Sequence, residues 1–209
     1  MGRAGLHWSA ERTTMNWKLV AFVALLGFGL FQHLQDRPIS RDGGVLAAAA
    51  PVQTDVDDLV LQHKGYTLRA LQSFGIQARV LAGERYSLDR ESDLAPVDLV
   101  LGWGRMSDSA VLEKIKISQS QRFYFWRVDE FPIPREEIEQ SSANMHMIPA
   151  SAAIAAVLRR VRPGQVVELQ GWLVEARSSD GWSWRSSLSR SDTGPGACEL
   201  IYVKSLRIL

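Results

Sequence analysis

The sequence has very little cysteine and no excess of charge of either sign. Of its 209 residues only Cys198 is a cysteine, and the formal net charge is +1. A single cysteine excludes an intramolecular disulfide and a cysteine-based zinc or iron–sulfur site. Because the charge is balanced and the arginines are scattered, the chain lacks the basic footprint of a nucleic-acid-binding protein, and we expect no nucleic-acid partner.

Sequence motifs for common cofactors are lacking as well. The chain has no glycine-rich phosphate loop and no histidine–cysteine cluster with metal-ligand spacing. We therefore expect no cofactor and no metal site. Tryptophan, in contrast, is abundant with seven residues. Because large flat side chains pack well on pleated surfaces, this composition favours a β-rich domain.

One long hydrophobic run lies near the N-terminus. Residues 17–34 read WKLVAFVALLGFGLFQHL, and residues 19–31 contain no polar side chain. As a helix this run spans roughly 27 Å, which suffices for a hydrocarbon core of about 30 Å if the flanking side chains reach the interface. Trp17, Lys18 and His33 stand at the ends where interfacial residues belong. Residues 17–34 therefore predict a transmembrane signal-anchor helix, with the lipid bilayer as its partner.

Two other interpretations of the hydrophobic run are a cleaved signal peptide and a buried helix of a soluble fold. A signal peptide has a hydrophobic core of similar length, but it needs small residues soon after that core. Here the first run of small residues, the alanines at 47–50, comes late. A helix of a soluble core would have a polar face, whereas this run is apolar on every side. An uncleaved anchor is therefore the preferred interpretation.

The charges around the run predict its orientation. Arg3, Arg12 and Lys18 precede the helix, whereas the charges that follow it cancel. The positive-inside rule then gives a cytoplasmic tail at 1–16 and a C-terminal domain in the periplasm, anchored in a bacterial inner membrane by a single pass. Translation from Met15 would leave the orientation unchanged.

Residues 35–58 have no core-forming pattern. They contain a glycine pair, the alanine run, Pro51 and several aspartates, a composition typical of a flexible linker. The remaining residues, 59–209, have the usual size of one domain, about 150 residues. We expect a single extracytoplasmic globular domain there, able to fold without the anchor.

The hydrophobic pattern of residues 59–209 predicts many short strands and few helices. A strong helix is expected at 151–162, where Ser151 can cap the N-terminus of an apolar stripe. The run at 122–128 is dense in β-formers and predicts a central strand. Further strands are expected at 66–81, 97–101, 165–176, 182–184 and 200–209. This pattern indicates a β-rich α+β domain, a small β-barrel-like sheet with one packed helix.

Two segments of this domain contain residues suited to chemistry. The segment 187–199 places Arg190, Asp192, Cys198 and Glu199 around two glycines. His146 lies between apolar residues just before the predicted helix. A histidine beside a cysteine can activate its thiolate, so His146, Cys198, Arg190 and Asp192 are the candidate catalytic residues. A self-stabilising loop and a buried histidine are the structural alternatives.

A third segment, GWGRMS at 102–107, follows a predicted strand end. Glycines on both sides of a tryptophan can shape a tight turn or the rim of a ligand site. Trp103 and Arg105, together with Glu199, are therefore the candidate binding residues.

Several short motifs resemble those of one protein family. These are Asp98-Leu99 leading to Trp103-Gly104, Asn144-x-His146-x-Ile148, Gly171-Trp172-Leu173-Val174, and Ser187-Leu188-x-Arg190-x-Asp192-Thr193-Gly194-x-Gly196-Ala197-Cys198-Glu199. Together they are similar to an uncharacterised family of bacterial single-pass membrane-anchored proteins, for which the last motif is the most specific. The resemblance implies a bacterial inner-membrane protein in which the histidine and the Arg–Asp–Cys–Glu segment belong together. It implies no particular activity.

Two functions follow as expectations. The first is a binding or assembly module of the cell envelope, whose partner is an envelope protein or a cell-wall ligand. The second is an envelope hydrolase or transferase. Its order of His146, Cys198 and Arg207, with Arg190 also available, resembles the plan of sortase-type membrane-anchored transpeptidases. The sequence favours the non-enzymatic function without excluding thiol chemistry.

Overall fold

A computed structural model of the protein describes residues 17–35, 37–189 and 196–209. The chain divides after Arg37 into a helix, α1 (Trp17–Gln35), and a compact domain, Pro38–Leu209. Among these described residues, no helix is both long and apolar enough to cross a membrane. The anchor stays a prediction, and the expected cytoplasmic tail at 1–16 lies outside the described residues.

The domain is of the β-rich α+β class, as expected. Its strands are β1 (Val52–Asp55), β2 (Val60–His63), β3 (Tyr66–Arg85), β4 (Val97–Gly102), β5 (Ile115–Ser120), β6 (Phe123–Val128), β7 (Ser142–Pro149), β8 (Val166–Arg177), β9 (Ser183–Arg185) and β10 (Glu199–Ile208). Its helices are α2 (Arg90–Leu94), α3 (Ser109–Leu112), α4 (Arg135–Gln140) and α5 (Ala152–Leu158), and a short 3₁₀ turn covers Gly104–Ser107.

Five strands of the main mixed sheet pair in a closed cycle. β3 pairs with β4, β4 with β7, β7 with β10, β10 with β8, and β8 again with β3. The pairing of β7 with β10 is parallel and the others are antiparallel. β3 pairs with both strands because it is long: β8 pairs with it from Thr67 to Arg79, and β4 from Arg79 to Arg85. β1 and β2 add to β3, and β9 adds to β8.

The residues expected to form a flexible linker are instead part of the folded domain. The N–H of Ile39 donates to the carbonyl of Pro163 at 2.8 Å. Ala47 is buried, and its N–H donates to the Ser107 hydroxyl at 3.0 Å. Residues 52–55 form β1 on the edge of β3. The prediction from composition was wrong here because backbone hydrogen bonds, rather than an apolar side-chain pattern, hold this segment.

Side-chain alternation sends β7 residues to two different environments. Met145 and Met147 face the main core, where β3, β4, β8 and β10 pack against α5. Ser151 caps α5 by accepting from the N–H of Ile154, as the sequence predicts, although the helix ends earlier than expected. Asn144 and His146, at the intervening positions, face the opposite side of the sheet. This outer face carries the polar side chains described below.

The aromatic strand expected at the centre of the sheet lies elsewhere. β6 pairs with β5 in a separate two-stranded sheet, while β7 occupies the central position between β4 and β10. The sequence of β6 is rich in β-formers because one of its faces packs on a small core, separate from the main one, that includes Met106, Ile115 and Ile138. Strand propensity alone could not distinguish this hairpin from a central strand.

Candidate functional site

An open cleft of about 600 Å³ lies between the hairpin of β5 and β6 and the first residues of β7 and β10. Its volume is within the range of small-ligand sites. One wall is β6 itself, and the opposite wall contains Ser142, Asn144, Cys198 and Glu199. Trp103 and Phe131 complete an aromatic lining. The cleft is therefore a concave, largely aromatic surface with a few convergent polar groups.

The hairpin that forms this wall turns through Gln121 and Arg122. Both residues have positive φ, 51° and 66°, as two-residue hairpin turns require. Neither is glycine, so the turn is costly and needs tertiary support. That support comes through Arg122, whose N–H donates to the Tyr86 hydroxyl at 3.0 Å and whose carbonyl accepts from Asn144 Nδ2 at 2.8 Å.

The side chain of Arg122 is largely buried, with 13% of its surface exposed, and belongs to an ion-pair network beneath the turn. Its Nη1 lies 3.2 Å from Asp98 Oδ1, and its Nη2 lies 2.8 Å from Asp89 Oδ1. The guanidinium also stacks over the Tyr86 ring at 4.2 Å and lies 5.5 Å from the Trp184 ring. The hydrogen bond from Arg122 holds the pKa of Asp89 below its ordinary value. Arg122 thus fixes the position of the cleft wall.

His146 belongs to this network rather than to the thiol. Its Nδ1 lies 2.9 Å from Asp98 Oδ2, and both side chains are buried. The Trp184 ring packs against the imidazole with centroids 4.7 Å apart. Asp98 and His146 face each other across β4 and β7 because they are register partners. Asp98 therefore lies between an arginine and a histidine beside the aromatic cleft.

The polar groups inside the cleft are held by one another. The Tyr124 hydroxyl lies 3.0 Å from Ser142 Oγ, and Gln119 Nε2 donates to Asn144 Oδ1 at 2.7 Å. Burial raises the pKa of Tyr124, so its hydroxyl stays protonated and can donate at neutral pH. Cys198 Sγ lies 3.8 Å from Asn144 Nδ2. These groups are prearranged, which suits selective binding.

The expected catalytic residues are only partly brought together. Cys198 lines the cleft, close to Asn144 and to the carbonyl of Arg122. His146 Nδ1 instead lies 2.9 Å from Asp98 Oδ2. Arg190 and Asp192 lie outside the described residues.

Two of the three expected binding residues line the cleft. Trp103 and Glu199 are buried and contribute to its wall. Arg105 points elsewhere, because its Nε donates to Glu137 Oε1 at 2.7 Å on the exposed side of the 3₁₀ turn. Glu199 reaches the cleft because β10 starts there, beside the start of β7.

Sequence reasoning did not find Asp98, Arg122, Asn144, Tyr124 and Trp126 as a set. Asp98 carried one signal, since it is a charged residue inside an otherwise apolar strand and such a residue needs a partner. Its partners could not be identified, because Arg122 reaches Asp98 only through a hairpin turn, and His146 lies on a strand that was not predicted.

No metal-binding cluster is found among the described residues. Within residues 17–35, 37–189 and 196–209, no group of three histidine, cysteine, aspartate or glutamate side chains is arranged to hold a metal ion.

Comparisons with protein-family models, with curated proteins and with solved structures find no match for this chain.

Proposed function

We propose that this protein is a binding or assembly module of the bacterial cell envelope, and that the cleft between β6 and the starts of β7 and β10 is its ligand site. The observation that carries the proposal is the lining of this cleft. Trp103, Tyr124 and Trp126 surround a space of about 600 Å³ that also contains Asn144 and Glu199. Aromatic walls with a few fixed polar groups provide both affinity and orientation for a ligand.

The placement of this module rests on the sequence. The hydrophobic run at 17–34 supports an inner-membrane anchor, with the domain on the periplasmic side. The likeness of the 187–199 segment to that of bacterial membrane-anchored proteins supports the same placement. The closed cycle of β3, β4, β7, β10 and β8 supports a small barrel with α5 packed on it, an architecture that often presents binding surfaces between its strands and loops.

Binding is a better-supported function than thiol catalysis. Nucleophilic catalysis by Cys198 needs a base within hydrogen-bonding reach of the thiol. His146, the candidate base, faces Asp98 at 2.9 Å instead. Cys198 Sγ lies 3.8 Å from the amide nitrogen of Asn144, which is not a base. The cleft thus has the shape and lining of a ligand site, and its candidate base lies against a carboxylate.

Fluorine NMR can test the ligand site directly. The full-length chain in detergent is labelled with 5-fluorotryptophan and screened against a library of small aromatic and amide compounds. Compounds that enter the cleft will shift the resonances of Trp103 and Trp126, which line it. Each resonance is assigned by a tryptophan-to-phenylalanine substitution.

Trp172 supplies an internal control for this screen. It lies outside the cleft, against Tyr202 and Lys204. A compound that shifts Trp103 and Trp126 but leaves Trp172 unchanged supports the proposed site. If every compound either has no effect or shifts all tryptophans together, the cleft is not a selective ligand site and the proposal fails.

A further inference from the structure

The cleft runs along the edge of a strand rather than beneath one of its faces. All six residues of β6 from Phe123 to Val128 line it. The side chains of a strand point alternately to opposite faces, so consecutive residues share one cavity only when the cavity lies beside the backbone. The wall of the cleft is therefore the edge of β6.

This edge has no backbone partner in the part of the chain that the structure describes. β6 pairs with β5 along one side, with Ser120 opposite Phe123 and Lys116 opposite Arg127. No other backbone hydrogen bond among the described residues involves Phe123–Val128. In an antiparallel pair, residues that bond to the partner alternate with residues whose N–H and C=O groups point away.

The hairpin turn indicates which residues present these groups to the cleft. Ser120 and Phe123 flank the two-residue turn, and such a flanking pair exchanges hydrogen bonds. The next bonded positions on β6 are then Phe125 and Arg127. The backbone groups of the three intervening residues, Tyr124, Trp126 and Val128, consequently face the cleft.

From this geometry we infer that the cleft binds an extended peptide segment of a partner protein as an added strand on β6. The inference rests on the proposed function, since it names the ligand class of the same site. The added strand would bond to the N–H and C=O groups of Tyr124, Trp126 and Val128, which have no backbone partner among the described residues. Its side chains would alternate between the exposed rings of Phe123 and Phe125 on one face and the half-buried ring of Trp126 on the other.

Charge favours an apolar peptide over a charged polymer. Among the described residues the cleft contains Arg127 and Arg135 together with Glu139 and Glu199, and their formal charges cancel. Arg135 Nε is already paired with Glu139 Oε1 at 2.9 Å. A polyanion would meet no basic excess here. The aromatic side chains, in contrast, match the alternating apolar residues of an extended peptide.

The test uses peptides selected against the full-length chain in detergent. A phage-displayed library of linear heptapeptides provides the probe, and the tightest peptide is synthesised with a single N-methyl group at each position in turn. If the peptide adds as a strand, the dissociation constants measured by calorimetry will alternate with the position of the N-methyl group along the peptide, with a period of two residues. Methylation at every second residue weakens binding at least tenfold, and methylation between them leaves it unchanged, because only alternate N–H groups face β6.

A substitution in the protein tests the same contact from the other side. Val128→Pro removes an N–H that faces the cleft without removing a bond to β5, since proline is tolerated at a free strand edge. Val128→Ala is the matched control, because it loses the same side chain and keeps the N–H. We expect peptide binding by the proline variant to be at least tenfold weaker than binding by the alanine variant, with equal circular dichroism spectra.

Three outcomes would overturn strand addition. Dissociation constants without a period of two would show that the peptide occupies the cleft in another way. Fragments that shift Trp126, combined with a library that yields no binding peptide, would leave the ligand site intact and exclude a peptide as its ligand. A dimer by sedimentation that is broken by Val128→Pro would show that a second copy occupies the edge instead.

Discussion

Asp98 Oδ1 lies 3.2 Å from Arg122 Nη1, although one residue is in the middle of the main sheet and the other is in the turn of a separate hairpin. Asp98 is fully buried, and only 13% of the Arg122 side chain is exposed. Their contact joins the two sheets at one point and sets where the cleft wall stands.

Arg122→Met will lower the free energy of unfolding by about 3 kcal/mol. The substitution leaves the buried carboxylate of Asp98 without its cation, and breaking a buried pair in this way typically costs about 3–5 kcal/mol. Chemical denaturation followed by tryptophan fluorescence measures the loss. Adding Asp98→Asn to Arg122→Met should recover part of it, because the uncompensated charge is then removed.

The matched control for Arg122 is an exposed pair. Arg207, whose side chain is 71% exposed, contacts Glu168 on the domain surface. Arg207→Met should change the free energy of unfolding by less than about 1 kcal/mol. Equal losses for the two methionine variants would mean that the buried network does not hold the hairpin.

Asp89 gives the network a dependence on pH. The hydrogen bond from Arg122 lowers the pKa of Asp89 in the folded state. Its contribution to stability is therefore present above the unfolded pKa, about 3.9, and is lost as the pH falls through the lower folded value. The difference in free energy of unfolding between wild type and Asp89→Asn should be constant near pH 7 and should shrink below about pH 4.

Urea denaturation at a series of pH values measures this difference. Asp58→Asn, at a carboxylate that is 92% exposed, reports the general effect of replacing a surface aspartate. A difference between wild type and Asp89→Asn that grows in acid would contradict the proposed direction.

Gly171→Ala will destabilise the pairing of β8 with β10. A Cβ at Gly171 would lie 2.1 Å from the carbonyl oxygen of Tyr202, which is fixed in the neighbouring strand. Relief of this overlap requires the two backbones to separate, which costs about 3 kcal/mol. Gly75→Ala is the control, because its nearest atom, Leu169 O, is 4.0 Å away. The urea midpoint should fall clearly for Gly171→Ala and stay near wild type for Gly75→Ala.

Removal of residues before Leu59 will destabilise the domain. A chain that starts at Pro38 keeps the bond from Ile39 N–H to Pro163, the buried Ala47 and the whole of β1, and a chain that starts at Leu59 loses all three. Thermal unfolding followed by circular dichroism should give a lower midpoint for the shorter chain. Identical midpoints would mean that residues 38–58 are a linker after all.

The class of fold and several of its elements could be predicted from sequence because they follow local rules. The alternation at 66–81 identifies part of β3, and the cap at Ser151 identifies the start of α5. β7 could not be predicted from an alternation of apolar and polar residues, since it is buried along its length and mixes methionine with asparagine and histidine. A strand buried on both faces loses the alternation that would reveal it.

The candidate site was predictable only where its residues lie close in sequence. Cys198 and Glu199 belong to one motif, and both line the cleft. His146 was expected to meet Cys198, but a strand register places it opposite Asp98 instead. A register depends on the pairing of whole strands, and no local pattern of residues 142–149 determines it. Arg122 reaches the network through a turn whose conformation has no glycine to mark it.

The closed cycle of strands also has a consequence for the rate of folding. Its pairings join distant parts of the chain, such as Thr67 with Arg177 and Leu200 with His146. Each pairing closes a long loop before its contacts can stabilise it, and the domain therefore has a high contact order. Folding on the millisecond-to-second scale is the expectation for such a topology.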